Sequence, residues 1–266
     1  MKTYVEKIII KEKTMFDNAT LNQLRDLRLS VMAEGFKEQQ NKKGINSLTF
    51  EERFALLVES EWLHRKNKRI ERLVRQAAFR FPAIIEDVDW YSKKGVQKPE
   101  ILKHSLGGYI KKAQNIIFCG PTGVGKTYLA CALGHTACTQ GIRVNYIRLS
   151  NYFERIFNDY EGEYKNTLFR DKCATVPLLI LDDWGLRKFS TEETDELSDL
   201  FERRYGRVST IISSQIPSTD WHELFSDPTQ ADSILDRIIH NAHLYSITGE
   251  SMRKTIGKRS LESQDI

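Results

Sequence analysis

The sequence has no apolar run long enough to cross a membrane, and it has few cysteines. A transmembrane helix needs about 20 mostly apolar residues, and the apolar run nearest the start is only Ile8–Ile10. We therefore expect neither a membrane span nor a secretory signal, and a cytoplasmic location. The four cysteines among 266 residues form no Cys-x-x-Cys pair. This spacing argues against a structural zinc site and a disulfide framework.

Acidic residues are fewer than basic residues only in the first part of the chain. Residues 1–108 contain 21 Lys and Arg against 15 Asp and Glu, whereas residues 109–266 contain 19 against 21. A basic excess confined to one region is typical of a segment that contacts a polyanion. Gly107-Gly108 offers the best hinge between the two regions, so we predict domains at 1–108 and 109–266.

The stretch GPTGVGKT, Gly120–Thr127, fits the phosphate-binding pattern G-x-x-x-x-G-K-[ST]. Its glycines allow backbone amides to point at phosphate oxygens, Lys126 can reach the β- and γ-phosphates, and Thr127 can offer a hydroxyl to Mg²⁺. An apolar run, Asn115–Cys119, precedes the loop and a helical pattern, Lys126–Gln140, follows it. We therefore predict an ATP site with Mg²⁺. Its residues are Gly120, Pro121, Thr122, Gly123, Val124, Gly125, Lys126, Thr127 and Tyr128.

Apolar runs alternate with amphipathic segments after the loop. The further predicted strands are Arg143–Leu149, Pro177–Leu181, Val208–Ile212 and His243–Thr248. The helices predicted between them are Tyr152–Lys172, Thr191–Tyr205, a short one near Trp221–Phe225, and Ala231–Asn241. This alternation predicts an α/β domain with a parallel five-stranded sheet. Ahead of it, helical spacing over Leu21–Gln39 and from Phe50 to Phe81 predicts a smaller all-helical domain.

The run LLILDD ends in two acids, Asp182 and Asp183. Acids at the carboxyl end of a parallel strand lie at the sheet edge where ligands bind. We expect Asp182 to hold Mg²⁺ with Thr127, and Asp183 to orient the attacking water. The next strand ends in Ser214-Gln215, and either of these residues can place that water. A whole strand–helix unit separates the loop from LLILDD, which favours a hydrolytic ATPase over a small-molecule kinase.

One predicted helix carries basic charge almost without acids. Residues 62–81 contain seven Lys or Arg residues and Glu71 as the single acid. Such density of one sign is typical of contact with a phosphate backbone, and no base-reading code is recognisable. We predict sequence-neutral binding of duplex DNA. The residues are Arg65, Lys66, Lys68, Arg69, Arg72 and Arg75.

Several stretches together resemble the IstB-like ATP-binding proteins, the AAA+ helper ATPases of IS21-family insertion sequences. The stretches are GPTGVGKTYLACALG, LLILDDWG, TIISSQIP, LDRIIHNA, GESMRK and, in the N-terminal half, LTFEERFALLVESEW and NKRIERLVRQAAFR. The resemblance covers about Thr20 to Arg259. It implies an AAA+ P-loop fold, homo-oligomeric assembly on duplex DNA with ATP, and a transposase partner encoded by the same element.

The resemblance also implies roles for single residues. Gly120–Thr127 corresponds to Walker A and Asp182-Asp183 to Walker B, with Ser214 or Gln215 as sensor 1. Arg237 corresponds to the arginine finger and Arg253 to sensor 2. Together with Asp183, Lys126, Ser214 and Gln215, Arg237 completes the expected catalytic set. Asp183 departs from the wider AAA+ pattern, which has Glu there, and its shorter reach suggests slow hydrolysis.

Two other functions fit parts of the pattern. A DnaC-type replicative helicase loader shares the core motifs but requires a helicase partner and a preference for single strands. A nucleotide-gated DNA-bending scaffold requires no productive hydrolysis. We expect an ATPase stimulated by DNA, and turnover measured with and without DNA separates it from the scaffold.

Overall fold

Parallel strands form the sheet that the alternating pattern predicts. The computed structural model describes residues 18–41, 45–90, 94–157 and 163–249. Within these residues the strands are β1 Asn115–Cys119, β2 Val144–Arg148, β3 Leu178–Trp184, β4 Ser209–Ser214 and β5 Ala242–Ser246. They form one sheet in the order β2-β3-β4-β1-β5, with every neighbouring pair parallel.

Helices connect these strands and also precede them. They are α1 (residues 18–26), α2 Ser30–Asn41, α3 Phe50–Ala77, α4 Lys98–Ser105, α5 Gly108–Lys111, α6 Lys126–Thr139, α7 Leu149–Phe157, α8 Glu163–Thr175, α9 Thr191–Arg204 and α10 Pro228–Ile239. In the described part of the chain, 3₁₀ helices at Ile45–Ser47 and Ser218–Leu224 add short turns. The structure therefore has helices on both faces of a parallel sheet, as the sequence predicts.

Successive side chains of a strand point to opposite faces of the sheet, and each face is covered by an apolar core. Ile116 and Phe118 of β1 pack in the core that contains α6, whereas Ile117 packs in the core that contains α7 to α10. All three side chains are fully buried. Because both faces are covered, the central strands read as continuous apolar runs rather than as alternating ones.

Strand β4 lies between β1 and β3. The strand that leads into the phosphate loop and the strand that ends in Asp182-Asp183 are therefore both neighbours of β4. Since the strands are parallel, all three carboxyl ends meet at one sheet edge. One strand, β4, therefore separates the two motif strands in the sheet.

The helical segment at residues 18–71 forms a compact unit of its own. A capping box opens α3: Thr49 Oγ1 accepts from the Glu52 amide at 3.3 Å, and Glu52 Oε2 accepts from the Thr49 amide at 2.7 Å. Leu21, Ala33 and Leu57 are buried within this unit.

The single helix expected over Leu21–Gln39 is wrong, because the chain turns between α1 and α2. Arg28 has φ 59° at this turn. The buried Glu61 of α3 accepts the amides of Val31 and Met32 at 3.0 and 3.1 Å, which satisfies the free N–H groups at the start of α2. The break thus depends on a residue 30 positions away, which helical spacing cannot reveal.

The second compact unit comprises residues 72–266. Its apolar core includes Leu73 and Ala77 from the last turns of α3, together with Ile101 of α4 and Tyr109 of α5. Packing therefore divides the chain within α3. The functional division at 108/109 stays a prediction.

Candidate nucleotide-binding site

The loop after β1 has the backbone that phosphate binding requires. Gly120, Gly123 and Gly125 have φ values of 145°, 90° and 95°, in the region that favours glycine. At Gly120 a Cβ would lie 2.0 Å from the Ile247 carbonyl oxygen, so only glycine fits. Helix α6 begins directly after Gly125, and its first amides face an anion with the positive end of the helix dipole.

Lys126 lies inside this loop rather than in solvent. Its side chain is buried, and Nζ donates to the carbonyl oxygens of Gly120 and Pro121 at 2.6 and 2.8 Å. The ammonium group is thereby held beside the amides that open α6. This arrangement gathers positive charge where the sequence predicts the β- and γ-phosphates.

Asp182 is a fully buried carboxylate surrounded by hydroxyl donors. Thr127 Oγ1 donates to its two oxygens at 2.9 and 3.1 Å, and Tyr146 OH donates to Oδ2 at 2.7 Å. Ser213 Oγ also donates to Oδ1. Burial, with Asp182 as a further cause, raises the pKa of Tyr146, so this phenol keeps its proton. The structure therefore brings Thr127 and Asp182 together, as predicted for two ligands of one metal ion.

Asp183 lies in a local irregularity of β3. The pairing of β3 with β4 shifts register between Leu181 and Trp184, and Asp183 has φ 61°. A non-glycine residue in this region is uncommon and costs free energy, of about 1–3 kcal/mol. Asp182 and Asp183 are the two residues within the shift, so the two adjacent acids have different backbone surroundings.

Two arginines approach Asp183, and burial opposes its charge. Arg80 Nη1 and Arg148 Nε each lie 3.7 Å from Asp183 Oδ2. Desolvation, followed by the charge of Asp182, raises the pKa of Asp183, while Arg80, Arg148 and Lys126 partly oppose the shift. A cavity of about 240 Å³, lined mainly by apolar side chains such as Phe153, adjoins this carboxylate.

The two residues expected to place the water have different surroundings. Gln215 Oε1 accepts from Thr122 Oγ1 of the loop at 2.9 Å. Ser214 is fully buried, and its hydroxyl lies 3.1 Å from the Trp184 carbonyl and 3.2 Å from Trp221 Nε1. The structure thus brings Gln215 to the loop, whereas Ser214 contacts the apolar core.

The guanidinium of Arg237, on α10, forms hydrogen bonds and an ion pair within its own domain. It donates to the Ser233 carbonyl at 2.7 Å and pairs with Glu202 of α9. Among the described residues, none of its hydrogen bonds or ion pairs is with the loop or with Asp182-Asp183. Arg253 lies outside the described residues.

The six basic residues predicted to bind DNA are all exposed along α3. Two of them also have intramolecular partners. Arg65 donates to Glu61 at 2.8 Å and to the Arg28 carbonyl at 2.7 Å, and Lys66 lies 5.0 Å from the ring centre of Trp62. Arg65 therefore also has a structural role, because its hydrogen bonds stabilise the turn between α1 and α2.

The sequence reasoning missed four residues at this site: Arg80, Tyr146, Arg148 and Ser213. The sequence did contain a signal for Tyr146, Arg148 and Ser213. These residues lie near the carboxyl ends of β2 and β4, the strands that flank β3. Polar residues there belong to the ligand edge of a parallel sheet. Arg80 has no such signal, because it lies in an irregular segment whose path is set by tertiary contacts.

Comparisons with known proteins agree with this geometry. A family model described as "IstB-like ATP binding protein" matches residues 22–260. A putative insertion sequence ATP-binding protein of Sinorhizobium fredii is 39% identical over 92% of this chain and 100% of its own length. The putative ATP-binding protein of insertion sequence IS21 from Pseudomonas aeruginosa is 31% identical over 88% of this chain and 86% of its own.

Solved structures resemble the chain at low identity. A crystal structure of DnaI matches with a TM-score of 0.54 and 21% identity, over 68% of this chain and 92% of DnaI. The DnaC helicase loader matches with a TM-score of 0.50 and 23% identity, over 63% and 98%. A structure of the replication initiator DnaA matches with a TM-score of 0.52 and 20% identity, over 71% and 57%. These likenesses show an AAA+ P-loop fold. Within the described residues no helix is long and apolar enough to span a membrane.

Proposed function

The chain belongs to the family of IstB-like ATP-binding proteins, and we propose that it is a Mg²⁺-dependent ATPase that assembles on duplex DNA and assists a transposase. The observation that carries the proposal is the meeting of three groups at one sheet edge. These are the phosphate loop, the Thr127–Asp182 pair and the second acid Asp183. A site that only binds nucleotide has no need of the second acid.

The residues present fit Mg²⁺. A hydroxyl and a carboxylate already in contact, Thr127 and Asp182, offer the hard oxygen ligands that this ion prefers. When bound, the ion would neutralise charge on the β- and γ-phosphates. The hydroxyl groups of Tyr146 and Ser213 donate hydrogen bonds to the Asp182 carboxylate and hold it in place.

The chain's own groups then divide the work of phosphoryl transfer. The amides at the start of α6 and the Lys126 ammonium bind phosphate oxygens and stabilise the charge that develops on them. Asp183 orients the attacking water, and its raised pKa makes it a better proton acceptor than an ordinary aspartate. Between the two candidates of β4 we favour Gln215 for placing the water, because it contacts Thr122 of the loop.

The DNA-binding part of the proposal depends on α3. Four exposed cations that have no intramolecular ion pair in the described structure extend along this helix: Lys68, Arg69, Arg72 and Arg75. Their spacing suits contact with a phosphate backbone regardless of sequence. We propose that residues 1–108 bind DNA, that residues 109–266 hydrolyse ATP, and that oligomers form on the duplex.

The proposed transposase partnership is supported by the relatives, which are putative insertion sequence ATP-binding proteins. The likeness to DnaI and DnaC concerns the fold alone, because identity is 21% and 23%. A helicase loader therefore gains no support from it. A partner encoded beside this chain in an insertion sequence is a transposase rather than a replicative helicase.

The test is ATP turnover by the purified chain, measured alone, with duplexes of unrelated sequence and with single strands. We expect stimulation by every duplex, loss of turnover on removing Mg²⁺, and less stimulation by single strands. Asp183→Asn serves as the matched control, since it should retain ATP binding but not stimulated turnover. Stimulation by single strands alone would favour the loader, and DNA binding without stimulated turnover would favour the scaffold.

A further inference from the structure

Arg80 places a guanidinium beside both acids at the end of β3. It lies in the segment that follows α3, and its Nη1 is 3.6 Å from Asp182 Oδ2 and 3.7 Å from Asp183 Oδ2. Its side chain is 27% exposed, and that of Asp182 is 1% exposed. Charges this close and this poorly solvated interact strongly.

The backbone of Arg80 is fixed to the helix that opens the nucleotide site. Phe79 packs so closely on α6 that a Cβ added to Gly134 would lie 2.6 Å from its ring. The backbone amides of Arg80 and Phe81 partly oppose the rise in the pKa of Cys131 on α6, which places them close to its thiol. The position of the guanidinium is therefore set by α6, the same helix that begins with Lys126 and Thr127.

The same segment is continuous with the end of α3. Helix α3 ends at Ala77, and Ala78 has φ 55°, which turns the chain toward α6. Leu73 and Ala77 of the last turns are buried, and Arg72 and Arg75 of these turns are exposed. Arg80 thus connects a basic helix end to the carboxylates of the ATP site over a few residues.

A guanidinium and a divalent cation compete for these carboxylates. A metal ion held by Thr127 and Asp182 would bring two positive charges to the group that Arg80 already neutralises, and like charges repel. We propose that Arg80 is a positioning residue that pairs with Asp182 and Asp183 without metal and releases Asp182 to the metal when metal–nucleotide binds, which links the metal site to the end of α3. This inference rests on the proposed function, because it requires nucleotide and metal to bind at this site.

The first test measures metal affinity apart from turnover. Mn²⁺ is titrated by electron paramagnetic resonance into protein saturated with the non-hydrolysable analogue AMPPNP, and AMPPNP affinity is measured separately in EDTA. For Arg80→Gln we expect Mn²⁺ to bind about fivefold more tightly, with AMPPNP affinity in EDTA changed by less than about twofold. Arg80→Lys should restore weaker Mn²⁺ binding.

The matched control is Arg148→Gln. Arg148 approaches Asp183 at the same distance of 3.7 Å, and its ion pair in the described structure does not include Asp182. We expect its Mn²⁺ affinity to change less than that of Arg80→Gln. Equal or weaker Mn²⁺ binding by Arg80→Gln would overturn the inference, since Arg80 would then support the metal or the phosphates instead of competing.

A second test needs no variant. Amide hydrogen exchange of residues 78–81 is compared for wild-type protein with AMPPNP in EDTA and with AMPPNP and Mg²⁺. Faster exchange with Mg²⁺ is expected, because the guanidinium releases Asp182, and unchanged exchange would overturn the link to α3. Failure of wild-type protein to bind AMPPNP at all would instead overturn the proposed function, and this inference with it.

Discussion

The hydroxyl of Thr127 donates to both carboxylate oxygens of Asp182, at 2.9 and 3.1 Å. The two residues come from different motifs, at the start of α6 and near the end of β3. Their contact shows that the phosphate loop and the acidic strand end form one site. Asp183, one residue later, shares Arg80 with Asp182 but also lies near Arg148, and its backbone is strained. We therefore propose that metal binding and water activation belong to different side chains.

Lys126→Ala and Asp183→Asn should separate these two tasks. The lysine variant loses a charge-assisted phosphate contact, which costs about 2 kcal/mol or about 30-fold in ATP affinity. The asparagine variant keeps the loop and Asp182, so its ATP affinity should stay near that of wild type while turnover falls about 100-fold. Calorimetric titration with ATP and a phosphate-release assay provide the two readouts. An equal loss of ATP affinity in both variants would contradict the division.

The basic face of α3 should bind duplex DNA through phosphates. Neutralising Arg69 and Arg72 together should weaken binding similarly on unrelated duplexes. It should also flatten the log–log salt dependence by about 0.9 for each lost phosphate contact. Binding titrations at several salt concentrations measure both effects. An unchanged slope would place the DNA elsewhere on the protein.

Arg65→Gln is the internal comparison on the same helix. Because Arg65 holds Glu61 and the Arg28 carbonyl, its loss should lower the free energy of unfolding by about 1 kcal/mol. The Arg69/Arg72 variant should retain wild-type stability, as surface cations contribute little. Denaturant unfolding of both proteins separates the structural arginine from those that contact DNA.

Local pattern predicted much of the fold because the central strands β1 and β3 are buried and mostly apolar on both faces. Strand β1 has the predicted bounds Asn115–Cys119, and β3 runs on from the predicted run through Asp182 to Trp184. The phosphate loop lies where its motif requires, since glycine spacing alone specifies the turn. These features depend on residues that are close in the sequence.

The features that the sequence pattern could not predict depend on residues that are distant in the sequence. The turn at Arg28 is stabilised by Glu61 and Arg65, and α3 ends at Ala77 rather than near Pro82 because the following residues pack on α6. The approach of Arg80 to Asp182 spans about a hundred residues of sequence. No periodicity or composition encodes such a contact.

Arg204 at the end of α9 should be a stability determinant. It is 1% exposed and donates to the Cys173 and Val176 carbonyls and to Thr210 Oγ1, so it closes the end of α8 against β4. Burial lowers its pKa to about 9, which leaves it charged at neutral pH. Arg204→Met should lower the free energy of unfolding by about 3 kcal/mol, because buried carbonyls lose their donor.

The neighbouring Arg203 is the control for this change. Arg203 pairs with Asp171 and Asp199 near the surface, where ion pairs contribute about 0–1 kcal/mol. Denaturant unfolding of Arg203→Met should therefore show a small effect. Similar losses in the two variants would mean that helix propensity at the end of α9, and not the buried guanidinium, determines stability.

Arg237 should act on the ATP of a neighbouring subunit. Within its own chain it contacts Ser233 and Glu202, and none of its described bonds reaches the loop. A guanidinium is always charged and can bind two phosphate oxygens, which stabilises the transition state of phosphoryl transfer. Supplied by a neighbour, it would make hydrolysis depend on assembly, and on DNA where DNA nucleates assembly. Arg237→Ala should therefore bind ATP like wild type but lose DNA-stimulated hydrolysis, by about 1000-fold or more.

Mixing this variant with Lys126→Ala provides the decisive measurement. In a mixed oligomer, the intact nucleotide site of an Arg237→Ala subunit can meet the intact Arg237 of a Lys126→Ala subunit, so part of the activity should return. Glu202→Gln is the control, since it removes the intramolecular partner of Arg237 while leaving the guanidinium, and it should retain DNA-stimulated hydrolysis. If mixed oligomers form, as shown by cross-linking, and yet no activity returns, Arg237 does not act between subunits. Its pairing with Glu202 would then be its whole role, and the loss of activity in Arg237→Ala would reflect a displaced α10.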